Sequence, residues 1–347
     1  MTGPTDLTVG RAVDWRFAVT VGTRLARPGP PCTGYTRRQV ITELDAAATT
    51  AGPLVTEVTG LTPVTATPDT AVVDRPGWIA SAADSMRVMT GGADTARGFV
   101  SGHLAGAQTG AVLAFVASGI LGQYDPLAAD GAGRLLLVYP NVIAVERQLR
   151  VDPHDFRLWV CLHEVTHRVQ FTANPWLVEH MADALGVLTA DGGEHLTAVA
   201  GRLAEFTRAR RDGTDPNATG ILGLVRALQS EPQRHALDRL LVLGTLLEGH
   251  ADHVMDAVGP RAVPSVATIR RRFDQRRNRH QPPLQRLVRA LLGIDAKLSQ
   301  YTRGKAFVDA VVERVGMARF NTVWTSPQTL PQPDEIDTPE RWINRVL

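Results

Sequence analysis

The sequence predicts an α+β chain, predominantly helical, with one small sheet set beside a central helix. Three observations predict it. Apolar residues recur at helical spacing behind recognisable caps along most of the 347 residues. One short apolar run, Arg134 to Pro140, bounded by Gly133 and Pro140, reads as the best strand. No internal repeat and no linker divides the chain, so residues 1–347 are expected to form a single domain. Its parts are a helical 1–133, a segment 134–257 with the strand and the central helix, and 258–347 with helices and an extended tail.

In order, the first helical pattern surrounds Trp15, Phe17, Val19 and Leu25 and ends at the Pro/Gly cluster 27–31. A second helix is expected from Arg37 to Thr50 behind Thr36. Residues 51–75, rich in Val, Thr and Pro, read as a loop with room for a short strand. Asp74 and Pro76 open a helix to about Met89, and a glycine-rich helix follows over 97–122. Residues 123–126 break that helix, and the strand comes next. Asp152 as N-cap and Pro153 at the first helical position start the central helix, which carries Leu158, Val160, Cys161, Leu162, Val165 and Val169 as apolar positions. Asn174 and Pro175 end it, and a helix runs on to Leu188. Further helices are read over 194–211, 219–230, 233–257, 283–293 and 302–316, then an extended arm at 326–333 and a short helix at 339–346.

The central helix carries His163-Glu164-Val165-Thr166-His167, an HExxH spacing. Four residues apart on a helix, two imidazoles share one face with Cβ atoms about 5–6 Å apart, a workable bite for one Zn²⁺. Glu164, about 100° round the axis, is placed to reach a water held by that zinc rather than to act as a ligand. Zinc lowers the water's pKa to about 7 and polarises a carbonyl, and the carboxylate moves the proton. A random chain of this composition would contain HExxH about 0.01 times, so two hydrogen-bonded core histidines are the weaker reading. In zinc peptidases of this motif class, a strand beside the metal helix pairs with an extended substrate. Arg134–Pro140 is the candidate here, with an ordinary core strand as the competing reading.

Composition excludes several other classes. A net charge of +2 creates no global field for nucleic acid or membrane. The basic run 270–279 is diluted by aspartate and asparagine, has no accompanying RNA signature, and is read as a solvated helix face. Residues 102–122 are long enough to span a bilayer. They carry His103, Gln108, Thr109 and Ser118 and lack basic or aromatic flanks, so a central buried helix is expected, with Gly102, Gly106 and Gly110 as a stripe for close helix approach. Two cysteines make no disulfide framework and no secretory pattern opens the chain, so the expected location is the cytoplasm. The expected partner is a peptide or small amide substrate, with no nucleic acid and no membrane. Nothing in the sequence specifies an oligomeric state.

A catalytic zinc site needs a third protein ligand and one open position. The HExxHxxGxxH pattern is excluded, because Gln170 and Ala173 stand where glycine and histidine would be. Two stretches offer a glutamate with an aspartate one turn on: Glu179 with Asp183, and Glu248 with Asp252. Glu179 follows His167 by twelve residues across a proline break, so the chain would have to turn back sharply. Glu248 lies mid-helix among apolar neighbours, where an unpaired carboxylate would be costly. It is the expected ligand, with Glu179 the alternative. Asp252 is expected to take the N–H of a ligand histidine, and Gly249 to leave room for a partner backbone. His250, His253, Tyr139 and Tyr301 are candidates for contact with an oxyanion or substrate.

With these residues in hand, the chain resembles the zincin-like family catalogued as associated with biosynthesis of the deazaflavin coenzyme. The matching blocks run nearly end to end: 13–15, 73–78, 121–126, 156–167, 170–171, 175–177, 248–252, and 300–301 through 305–307. The resemblance implies a zincin-type fold, with His163 and His167 as metal ligands, Glu164 as catalytic base and the third ligand in the Glu248 block. One departure stands out: 80 residues (168–247) separate His167 from Glu248, where better-understood glutamate-type zinc peptidases have far fewer. The coenzyme link reads as co-occurrence, since no deazaflavin site and no Gly-rich phosphate loop is found. The expected function is a zinc-dependent hydrolase of peptide or other amide bonds. The alternative is a degenerate zincin that keeps metal and fold as a binding or assembly protein, against which the intact Glu164 argues.

Overall fold

The computed structural model describes residues 9–65, 69–92, 99–128, 133–189, 230–278 and 294–347. Helices expected over 194–211, 219–230 and 283–293 lie outside these, except for Ser230. The described chain is mostly helical, with one three-stranded sheet.

The strands are β1 (Thr70–Val73), β2 (Gly122–Asp125) and β3 (Arg134–Val138), in the order β1-β3-β2. β1 runs parallel to β3, with Val73 opposite Val138; β2 runs antiparallel, with Gly122 opposite Leu137. The expected strand is therefore the central one. Both its edges are paired, so it cannot take a substrate as a further strand, and residues 123–125 of the expected helix break belong to β2, the partner on one of those edges. Leu135 and Leu137 enter one core and Leu136 and Val138 the other. A strand buried on both faces reads as a continuous apolar run instead of an alternating one.

The smaller core holds α1 (Trp15–Leu25), α3 (Arg75–Met89) and α4 (Phe99–Ala117). Glycines bring α1 and α4 into backbone contact: a Cβ on Gly106 would lie 2.6 Å from the Asp14 carbonyl, and one on Gly110 2.4 Å from that of Ala18. The small-residue stripe thus acts as expected, but α4 is not a central buried helix. Leu104 and Val112 are exposed on its outer side. No helix among the described residues is long and apolar enough to cross a membrane.

The larger core is built on α2 (Gly34–Thr59) and α6 (Pro153–Ala173). α2 starts three residues before the expected Arg37, capped by Thr33, whose Oγ1 accepts from Thr36 N, and it continues through Pro53 to Gly60 in the left-handed region. Val40, Leu44, Ala48, Ala51 and Val55 form one buried stripe. That packing carries the helix past a proline which, in the sequence, argues for a loop. Pro140 lies in the first turn of α5 (Tyr139–Leu149), where a missing N–H costs nothing. α6 starts as expected: Asp152 Oδ1 accepts from Asp155 N at 3.0 Å, with Pro153 in the first turn. Its Arg157 is buried and held by Glu146 at 2.9 Å and by Glu43.

α7 (Trp176–Thr189) follows, then α8 (Glu231–Ala262), which begins at a Ser230/Gln233 capping box and kinks at Gly259 before Pro260. α9 (Val266–Asn278) bears the basic run. Here the expectation of a solvated face fails in part: Arg272 donates to the carbonyls of Leu149 and Arg150, Arg276 to Gln148, and Arg270 to Asp252 and Asp256, docking α9 on α5 and α8. α10 (Ile294–Val315) lies against α8 through Gly249, where a Cβ would stand 2.1 Å from the Gly304 carbonyl carbon. α11 (Met317–Phe320), two 3₁₀ turns and α12 (Pro339–Val346) close this core, with Trp342 fully buried and donating to the Thr329 carbonyl.

Candidate metal centre

Helical spacing puts His163 and His167 on one face of α6, and the crossing of α8 brings Glu248 against them. Their Nε2 atoms lie 3.2 Å apart, and Glu248 Oε2 is 3.3 Å from His163 Nε2 and 3.6 Å from His167 Nε2. Tetrahedral zinc with ligands at about 2.0–2.1 Å would set them about 3.3 Å apart. The three donor atoms therefore already stand at the edges of such a site, and the donor set suits zinc. Each side chain is only 14–19% exposed, which leaves one open side. Glu179 is exposed on α7 and joins no cluster of possible metal donors among the described residues. Among the described residues the other group of possible donors is Asp152, His154 and Asp155. There Asp152 caps α6 and Asp155 accepts from Ser265 N, which accounts for both carboxylates.

The electrostatics match the spacing. Burial opposes the charged form of His163, but the hydrogen bond to Glu248, with the charges of Glu164, Glu248 and Asp252, outweighs it and raises the pKa to about 9. Burial likewise opposes ionisation of Glu248, yet the two imidazoles hold its carboxyl well below the usual range. The three side chains together thus favour a positive charge between them.

Glu164 is buried, and β2 passes directly over it: a Cβ on Gly122 would lie 2.6 Å from Glu164 Cγ. Only glycine lets the strand come so close. Both residues line a cavity of about 510 Å³ that also takes in His163, His167, Glu248 and Asp252. The rest of its wall is largely apolar, including Met89, Leu121, Trp159, Met181, Met255 and Phe273.

The other sequence candidates fare unequally. Asp252 lines the cavity but bonds neither histidine. It accepts from Arg270 at 3.1 Å, whose guanidinium also lies over the Trp159 ring at 5.8 Å. The side chain that meets His167 is instead Gln170, whose Oε1 lies 2.9 Å from His167 Nδ1. Gln170 sits one turn after His167 on the same face of α6, and that spacing was the available signal.

His250 does not face the cavity. Two residues on from Glu248, and so about 200° round the helix from it, it is fully buried against Phe320 and Trp324 and touches Gln170 through Nδ1 at 2.9 Å. Burial first, then the charges of His253 and His167, push its pKa down to about 3. His253 lies outside the cavity lining, with Nδ1 2.6 Å from Asp309 Oδ1. Tyr139 lines a different cavity, with Arg75 and Pro140. Tyr301 is on α10, its side chain outside the described residues.

A family profile described as zincin-like metallopeptidase matches residues 13–343. The chain is also similar to a solved structure from Chloroflexus aurantiacus, described as a candidate hydrolase with a novel fold. The two are 30% identical with a TM-score of 0.68, over 96% of this chain and 98% of that one. No curated protein matches.

Proposed function

We propose, for a chain that belongs to the zincin-like metallopeptidase family, zinc-dependent hydrolysis of peptide or other amide bonds. The observation that carries this reading is the 3.2, 3.3 and 3.6 Å spacing of His163, His167 and Glu248 at the wall of an open cavity that also holds Glu164. Zinc bound there would supply Lewis-acid activation of water and of the scissile carbonyl. His163, His167 and Glu248 hold the ion. Glu164 accepts the proton of the attacking water and returns it to the leaving amine. The backbone of Gly122, pressed on Glu164, limits the conformations this carboxylate can take.

With β3 enclosed, β1 and β2 are the edge strands, and β2 is the one that lines the cavity and is placed to pair with an extended substrate. The apolar wall favours substrates with a large apolar or aromatic side chain next to the scissile bond. The test is a peptide library digested by zinc-loaded protein and read by mass spectrometry, with Glu164→Gln as control. Cleavage beside apolar residues, lost in the variant, is expected. Stoichiometric zinc with no cleavage of any peptide or amide would favour the degenerate, non-catalytic alternative.

A further inference from the structure

A run of three polar contacts leaves the centre on its buried side. His167 Nδ1 meets Gln170 Oε1 at 2.9 Å; Gln170 Nε2 donates to the Leu247 carbonyl at 3.0 Å and meets His250 Nδ1 at 2.9 Å. Gln170 and His250 are both fully buried, so no water competes for these groups. The chemistry of each atom then forces that of the next. Leu247 O can only accept, so the amide must turn its NH₂ toward α8 and its oxygen toward His167. That oxygen can only accept, so His167 must carry its proton on Nδ1, leaving Nε2 a lone pair. The second amide hydrogen points at His250 Nδ1, which must therefore be a lone pair, with the His250 proton on Nε2.

We infer that Gln170, anchored by the Leu247 carbonyl and His250, is a positioning residue that fixes His167 in the Nδ1–H tautomer and so holds its Nε2 ready for the metal. The inference rests on the zinc reading above. Because the anchors, Leu247 and His250, flank Glu248 in sequence, the same amide ties the α6 ligands to the helix carrying the third. The fit of His167 and the placement of Glu248 are set by one side chain.

The test begins with metal-free wild-type protein, ¹⁵N-labelled at histidine, in a long-range ¹H–¹⁵N spectrum at mildly alkaline pH. The inference expects opposite tautomers, Nδ1–H for His167 and Nε2–H for His250, without any variant. In Gln170→Met, with folding checked by near-UV circular dichroism, His167 should lose its single tautomer and zinc affinity in chelator competition should fall about 10–100-fold. His250→Phe keeps the stacking with Phe320 and Trp324 and the Leu247 anchor, so its affinity should fall only a few-fold. Nε2–H at His167 in the wild type would overturn the inference. So would a folded Gln170→Met that binds zinc within twofold of wild type. Absence of zinc binding by the wild type would overturn the zinc reading, and this role with it. That failure is recognisable because the tautomers are read without metal.

Discussion

The two faces of the three-stranded sheet are packed in similar ways and hold different things. On one, Leu136 and Val138 meet Trp78, Ile79 and the alanines of α3 and α4, and glycines let α1 and α4 touch backbone to backbone. On the other, Leu135 and Leu137 meet α2 and α6, and beyond them Gly249 and Gly304 bring α8 and α10 just as close. The second face also encloses Glu164, Gln170, His250 and Asp252, polar groups whose burial requires partners. Close glycine packing therefore says nothing about function by itself. The cluster of His163, His167 and Glu248 beside Gly249, with no such cluster beside Gly110 among the described residues, distinguishes the two.

Several changes would break or sharpen that contrast, and the largest effect is expected at Glu164. Glu164→Gln should lower kcat/KM by about 10²–10⁴-fold while zinc content stays at the wild-type level, because in the proposed mechanism the side chain moves a proton and holds no metal. Next comes a matched pair, Gly249→Val and Gly110→Val. Each forces a side chain into a neighbouring backbone and should cost about 1–3 kcal/mol or more in a urea melt. Only Gly249→Val should also weaken zinc binding, since it displaces the helix bearing Glu248.

The pH dependence of the metal-free protein gives a third comparison. His250, depressed to about 3 from an ordinary 6.5, contributes stability that is fully present above about 6.5 and lost as the pH falls toward 3. His163, raised to about 9, contributes in the opposite sense, fully below 6.5 and lost as the pH rises through 9. Urea midpoints measured in chelator should therefore decline on both sides of a plateau near pH 6.5, and His250→Phe should flatten the acid limb. Smallest is Tyr139→Phe, on the wall of another cavity. It should leave zinc affinity unchanged and stability within about 0.5 kcal/mol.

What could be read in the sequence divides along physical lines. Local chemistry was legible: Asp152 and Pro153 start α6, Asp74 caps α3, and the spacing of His163 and His167 describes one helix face. Glu248 was legible because a carboxylate amid leucines needs a partner, and Gly249 because a glycine there makes room. Long-range packing was not. Pro53 argues for a loop until the stripe buried against α6 outweighs it, and the run 134–138 cannot reveal that both its edges are taken. His250 and His253 sit within five residues of Glu248, yet the turn of the helix points His250 to the buried side. Arg270, in a run that resembles a solvated face, is claimed by Asp252 and Asp256.

The most direct test of the account is bound zinc per chain, measured by mass spectrometry of the metal after loading and desalting, for wild type and Glu248→Ala side by side. About one equivalent in the wild type and a sharp loss in the variant is the predicted result. Full retention by Glu248→Ala, or no uptake of added zinc by the wild type, would contradict it.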